Sequence, residues 1–129
     1  MIKVILDTNF LVYCAKNKLD YINEIDELLS EGHEIVVPLQ VINELKSLKG
    51  DKSGKVSGKD KRACDLALQI IDKNKIEIIN IEGNNVDNAL INLANENNKN
   101  IVATLDRNMR KELPRVILIN RFKNLMLTR

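Results

Sequence analysis

Tryptophan is absent from the chain, and two tyrosines with two phenylalanines are its only aromatic residues. So few rings argue against a binding platform that works by aromatic stacking, and the core must be built from Ile, Leu, Val and Ala. Cysteine occurs only as Cys14 and Cys64, with no Cys-x-x-Cys pair. They fit neither a disulfide framework nor a zinc site and read as reduced core residues. The one histidine, His33, sits beside Gly32 in a predicted turn, where a surface role outweighs a catalytic one. Long apolar runs are also missing: none approaches the ~20 residues that span a bilayer, and only three apolar residues precede Asp7 after Lys3. The expectation is a cytoplasmic protein without a membrane partner.

What the chain has is 129 residues, enough for one domain with one core, and a net charge of +2 that is unevenly spread. Residues 46–62 carry +5 through Lys46, Lys49, Lys52, Lys55, Lys59, Lys61 and Arg62, against Asp51 and Asp60. Residues 107–129 carry +6, from Arg107, Arg110, Lys111, Arg115, Arg121, Lys123 and Arg129 against Glu112, which leaves an acidic body of −9. Basic segments beside an acidic body suit a polyanionic partner, although a charge run alone is more often a solvated surface.

No internal repeat occurs, and the only Gly/Ser-rich stretch, at 50–59, is too short to separate domains. It reads as a mobile basic loop within a single domain spanning 1–129. Short Ile/Val-rich blocks at 3–6, 35–37, 76–79, 101–104 and 116–119 read as buried strands. Helical spacing joins Leu19, Ile22, Ile25, Leu28 and Leu29, with Asp20 as cap and Gly32 as stop. Pro38 fits the first turn of a helix running to about Lys49, and 60–73 and 86–97 give two more helices. The alternation predicts an α/β fold, a three-layer α/β/α sandwich around a mainly parallel sheet of four to five strands. Such sheets bind ligands at their carboxyl edge.

Four acids stand where that edge is expected. Asp7 ends the first strand, Asp106 lies two residues past the fourth, Glu44 is about two turns into the helix after strand two, and Asp87 opens the helix before strand four. Each alone has a plainer role: Asp7 and Asp106 as helix caps, Asp87 complementing a helix dipole, Glu44 on a helix surface. Together in one cleft they would repel by about 4 kcal/mol per pair at 4 Å and an effective dielectric near 20. Protonation or a divalent cation must relieve this. The donors are hard oxygens, with Thr8, Asn9 and Thr104 nearby, which favours one or two Mg²⁺ or Mn²⁺ ions over zinc. The reaction of such a site is in-line attack of a metal-activated water on a phosphodiester.

Through Asp7-Thr8-Asn9, Glu44, Asp87 and Thr104-Leu105-Asp106 the chain resembles the PIN-domain family of metal-dependent ribonucleases, over nearly its whole length. More narrowly, Asp7-Thr8-Asn9-Phe10, the run 16–20 and the run 101–107 are similar to the branch that works in the small-subunit processome in ribosomal-RNA maturation. The resemblance implies a parallel-sheet sandwich and a metal held by Asp7, Glu44, Asp87 and Asp106, with Asn9 and Thr104 as polar support. It implies RNA as substrate, ribosomal RNA included, and the two basic segments then supply Lys46, Lys49, Lys52, Lys55, Lys59, Lys61, Arg62, Arg107, Arg110 and Lys111 to hold the RNA backbone. The family pairs often, so a homodimer is expected, and it also includes toxin nucleases with antitoxin partners and members that have lost activity; the alternative for this chain is a non-catalytic RNA-binding module with ribosome-assembly partners. One departure is Asn88, where the processome branch has a second acid beside Asp87.

Other phosphate chemistries fit less well. The stretch 54–60 lacks the spacing of a phosphate-binding loop and follows no strand. Asn9 stands where a haloacid-dehalogenase phosphatase needs its second Asp, which removes the general acid. A phosphoacceptor signalling domain would carry its Asp after the third strand, where this chain has Asn80-Ile81-Glu82.

Overall fold

The computed structural model describes residues 1–80 and 82–128. One sheet holds six strands: β1 (Ile2–Leu6), β2 (His33–Pro38), β3 (Glu77–Ile79), β4 (Ile101–Ala103), β5 (Arg115–Ile119) and β6 (Leu125–Thr128). Around it lie α1 (Thr8–Lys16), α2 (Tyr21–Leu28), α3 (Leu39–Lys49), α4 (Gly58–Lys73) and α5 (Val86–Ala94), with a short 3-10 segment at Arg107–Glu112. The strand order is β3-β2-β1-β4-β5-β6. Every neighbouring pair is parallel except β5 with β6.

Strand periodicity explains the three layers, because successive side chains leave opposite faces. Val4, Leu6, Val37, Ile101, Ala103 and Ile117 point to one face and pack with Phe10, Leu11, Ile25, Leu45 and Ala67 of α1 to α4. Ile5, Val36, Val102, Val116 and Leu118 point to the other and meet Leu90 and Leu93 of α5 with Met109 of the 3-10 segment. Phe10 and Tyr21 join α1 to α2 edge to face, with centroids 5.9 Å apart. Cys14 and Cys64 are free and buried in this core, and burial pushes the Cys14 thiol up to about 12, as expected of an inert packing residue. Among the described residues no helix is long and apolar enough to cross a membrane.

Several sequence expectations need correction. A helix, α1, follows β1 directly, and a sixth strand, β6, runs antiparallel beyond the four to five foreseen. The block at 76–79 forms a strand but not a buried one: β3 is a sheet edge, and Ile78 is 49% exposed. Pro38 closes β2 and caps α3 instead of entering its first turn. The 86–97 helix stops at Ala94, where the Asn95 amide turns back to donate to the Ile91 carbonyl. Gly58 and Lys59 belong to α4, which Ser57 caps by accepting from Asp60 N, so the loop is shorter than 50–59. His33 begins a strand, not a turn, and bonds to Asp26 and to the Glu31 carbonyl.

Candidate active site

The sheet changes direction of winding between β1 and β4, and a crevice opens at the carboxyl ends of adjacent strands at such a point. Asp7 and Thr104 are the residues that follow these two strands. Asp7 N–H donates to the Ala103 carbonyl at 3.0 Å, and Thr104 N–H to the Ile117 carbonyl at 3.1 Å, so the ladder holds both backbones one step past the strands. The Asp7 carboxylate accepts from Thr8 N at 2.7 Å and from Thr104 Oγ1 at 2.5 Å. It therefore caps α1 and is tied to β4 at once. Asp7 is 4% exposed and Thr104 fully buried.

Thr104 and Asn9 extend the arrangement to the turn after β4. Thr104 Oγ1 accepts from Asp106 N at 3.0 Å, and Asn9 Oδ1 accepts from Leu105 N at 3.0 Å. Asp106 in turn caps the 3-10 segment by accepting from Asn108 N at 2.9 Å. The capping roles of Asp7 and Asp106 are real, and they orient both side chains at the edge.

Burial is the main force on Asp7, pushing its carboxyl from 3.8 up to about 6. The Thr104 and Thr8 hydrogen bonds work against that rise, while the charges of Asp87 and Glu44 add to it. Those two acids, from α5 and α3, are exposed, and Asp106 is half-buried. The charges of Asp87 and Glu44 thus reach Asp7, and Asp106 is linked to the same residue only through its backbone N–H on Thr104. Among the described residues no three carboxylate, thiol or imidazole groups stand close enough to surround an ion by themselves. Mg²⁺ keeps several waters and takes only one or two carboxylates with substrate oxygens, so the hard oxygens of the buried Asp7 carboxylate, with the exposed Glu44 and Asp87 near enough for their charges to reach it, suit such an ion. Thr8 Oγ1, buried beside Asp7, has no hydrogen-bond partner among the described residues.

Beside Glu44 lies a cleft lined by Thr8, Asn9, Val12, Tyr13, Lys16, Glu44, Leu48 and Leu105. Sequence reasoning did not single out Tyr13 or Lys16. The signal was present, since Asn9, Tyr13 and Lys16 recur at helical spacing on the face of α1 that carries Asn9. Lys16 forms an ion pair with Asp60 of α4.

The basic residues divide. Lys52, Lys55, Lys59 and Arg62 are exposed, and Lys61 is half-buried, around the start of α4. The loop before it is fastened by Asp51, which accepts from Ser53 Oγ at 2.9 Å and from Val56 N at 3.3 Å. Lys46 and Lys49 instead line a groove between α3, α4 and β3 with Leu68 and Ile78, and Lys49 pairs with Asp65 at 2.6 Å. Arg107, Arg110 and Lys111 are exposed on the 3-10 segment next to Asp106, and Arg110 also bonds Thr128 Oγ1. Arg115 lies at the opposite edge, donating to the Lys99 carbonyl and pairing with Glu31 at 3.1 Å. Arg129 falls outside the described residues.

Comparison with known proteins follows the same outline. Residues 4–119 match the model of a family described as PIN like domain. Ribonuclease VapC4 of Methanocaldococcus jannaschii is 38% identical over 113 residues, covering 88% of this chain and 83% of its own. Among solved structures, the PIN domain endonuclease Utp24 superposes with a TM-score of 0.72 at 21% identity, over 95% of this chain and 90% of that one. VapBC2 from Rickettsia felis, solved with a DNA fragment from its promoter, gives 0.53 at 21% identity, over 88% and 94%. These two structures are alike in fold.

Proposed function

The chain belongs to the PIN-like domain family, and from that premise we propose that it is a metal-dependent endoribonuclease that hydrolyses RNA phosphodiesters. The observation that carries this reading is the buried Asp7 carboxylate at the β1/β4 crevice, bonded to the Thr104 hydroxyl and reached by the charges of Asp87 and Glu44. Asp7, Glu44, Asp87 and Asp106 are the residues that would hold Mg²⁺ or Mn²⁺. Bound there, the ion supplies an activated water and charge neutralisation at the scissile phosphate. Thr104 and the Thr8 amide keep Asp7 aimed into the crevice, and Asn9 fixes the turn that carries Asp106. Arg107 and Lys111, beside Asp106, attract the RNA backbone, with the basic residues at the start of α4 as a second source of charge.

The test is cleavage of a structured RNA by purified protein with Mn²⁺, with EDTA, and with Asp7→Asn in parallel. Products that need the metal and vanish in the variant are expected. Undiminished cleavage by Asp7→Asn would overturn the mechanism. Salt-dependent RNA binding without any product would instead mean a non-catalytic PIN module.

The 38% identity to Ribonuclease VapC4 supports a toxin-type ribonuclease held by a protein antitoxin. Ribosomal RNA as substrate rests on the narrower motif likeness of Asp7-Thr8-Asn9-Phe10 and residues 101–107. Co-expression with the product of a neighbouring gene separates the two: a partner that co-purifies and blocks cleavage supports the antitoxin arrangement.

A further inference from the structure

The family match ends at residue 119, and the chain then makes a tight hairpin from β5 into β6 that the proposed catalysis does not use. Its three-residue tip is Arg121-Phe122-Lys123. Asn120 fastens it: Asn120 N–H donates to the Asn124 carbonyl at 2.9 Å, and Lys123 N–H donates to the Asn120 carbonyl at 3.0 Å. The Asn120 side-chain oxygen also accepts from Phe122 N at 2.9 Å and from Asn124 N at 3.1 Å. Lys123 closes the turn at φ 63, a left-handed conformation usual for Gly or Asn at this position of a three-residue loop.

On this fastened turn Phe122 is 69% exposed, an unusual place for a large ring in a chain with only four aromatic residues. The Arg121 guanidinium carbon lies 4.9 Å from its centroid. The residues on either side are Arg and Lys, then Asn, so the tip is a lone ring set among cations. A protein-docking patch needs contiguous apolar surface. A flat ring flanked by two positive charges matches an unstacked base and its neighbouring phosphates.

Topology puts the tip at the right edge. Strand β5 runs parallel to β4, so its carboxyl end points to the same side as Asp7 and Asp106; Leu6 at the end of β1 is level with Ile117, two strand spacings, roughly 10 Å, to the side, and β5 continues two residues further along that edge. We infer that the Arg121-Phe122-Lys123 tip is a contact for single-stranded RNA, with Phe122 stacking on a base of the strand whose backbone enters the carboxylate crevice. This rests on the ribonuclease reading for the nature of the polymer, but not on catalysis.

The test is therefore made without cleavage. Binding of a short fluorescent single-stranded RNA and of its duplex is measured by anisotropy in EDTA at low salt, for the unaltered protein, Phe122→Ala, Phe122→Tyr and Arg121→Gln with Lys123→Gln. Phe122→Ala is expected to weaken single-strand binding about tenfold while Phe122→Tyr retains it, and duplex binding is expected to change little. The double Gln variant is expected to flatten the salt dependence. With Mn²⁺ added, Phe122→Ala raises KM more than it lowers kcat. Unchanged single-strand affinity in Phe122→Ala overturns the inference, as does a changed oligomeric state with unchanged affinity. Phe122-dependent binding in a protein that cuts no RNA upholds the contact while the nuclease reading fails.

Discussion

Thr104 gives its buried hydroxyl to Asp7 across 2.5 Å, joining residues 97 positions apart. That bond connects the strand carrying the first acid to the strand leading to the last. It also opposes the rise that burial imposes on the Asp7 carboxyl.

Replacing Thr104 by Val keeps the shape and removes the donor. Asp7 then holds its proton to higher pH, and Asp106 N loses its acceptor. The expected result is a 10- to 100-fold fall in kcat/KM, roughly the range for losing a residue that orients a metal ligand, the role proposed for Asp7, with the activity profile displaced to higher pH. Rates measured across pH 5 to 9 check it.

Asp7→Asn should stabilise the metal-free protein while abolishing cleavage. The folded Asp7 carboxyl, at about 6, lies above its ordinary 3.8, so the folded state binds that proton more tightly than the unfolded state does. Ionising it therefore lowers stability as pH rises through that interval, and Asn removes the loss. Urea unfolding in EDTA should show a gain on the order of 1–2 kcal/mol at pH 7.5 that disappears below about pH 4.

Gly83→Ala should damage both fold and activity. A methyl group on Gly83 would come within 2.5 Å of Ala89 N and 2.8 Å of Ala89 Cα, in the helix whose first turn carries Asp87. Backbone cannot yield as a flexible side chain can, so a loss of about 1–3 kcal/mol is expected. Denaturation paired with cleavage rates checks whether α5 moves with it.

His33 supplies a pH dependence of its own. Both ring nitrogens face acceptors, the Glu31 carbonyl at 2.8 Å and Asp26 at 2.7 Å, so only the protonated ring satisfies both. The Glu31 bond, then Asp26, raises its pKa above 6.5. Its contribution is full below 6.5 and fades as pH rises through the raised value. His33→Gln should cost roughly a few tenths of a kcal/mol at pH 5.5 and nothing at pH 8.5, read from melting midpoints.

Runs such as Val4-Ile5-Leu6 and Ile101-Val102-Ala103 announced buried parallel strands because both faces of the sheet are covered, which leaves no polar alternation to confuse the pattern. The acids that follow these runs were legible for the same reason. Less could be read where position in the sheet decides burial: Ile78 is apolar yet exposed because β3 has a neighbour on one side only. Charge counts grouped Lys46 with the other basic residues of 46–62, while the groove beside Leu68 where helix phase puts it could not be read from charge. Strand β6 escaped because Leu125–Thr128 is short and only half-buried, and no alternation of two residues distinguishes it from a tail.

The adjacency of β1 and β4 gives the molecule a built-in order of completion. A growing chain that has emerged only as far as residue 100 already contains Asp7, Glu44 and Asp87, yet β1 still lacks its inner neighbour and Asp7 its partner hydroxyl. The crevice closes only when the segment from Ile101 to Asp106 slots in beside β1, so a half-made copy does not yet hold a completed crevice.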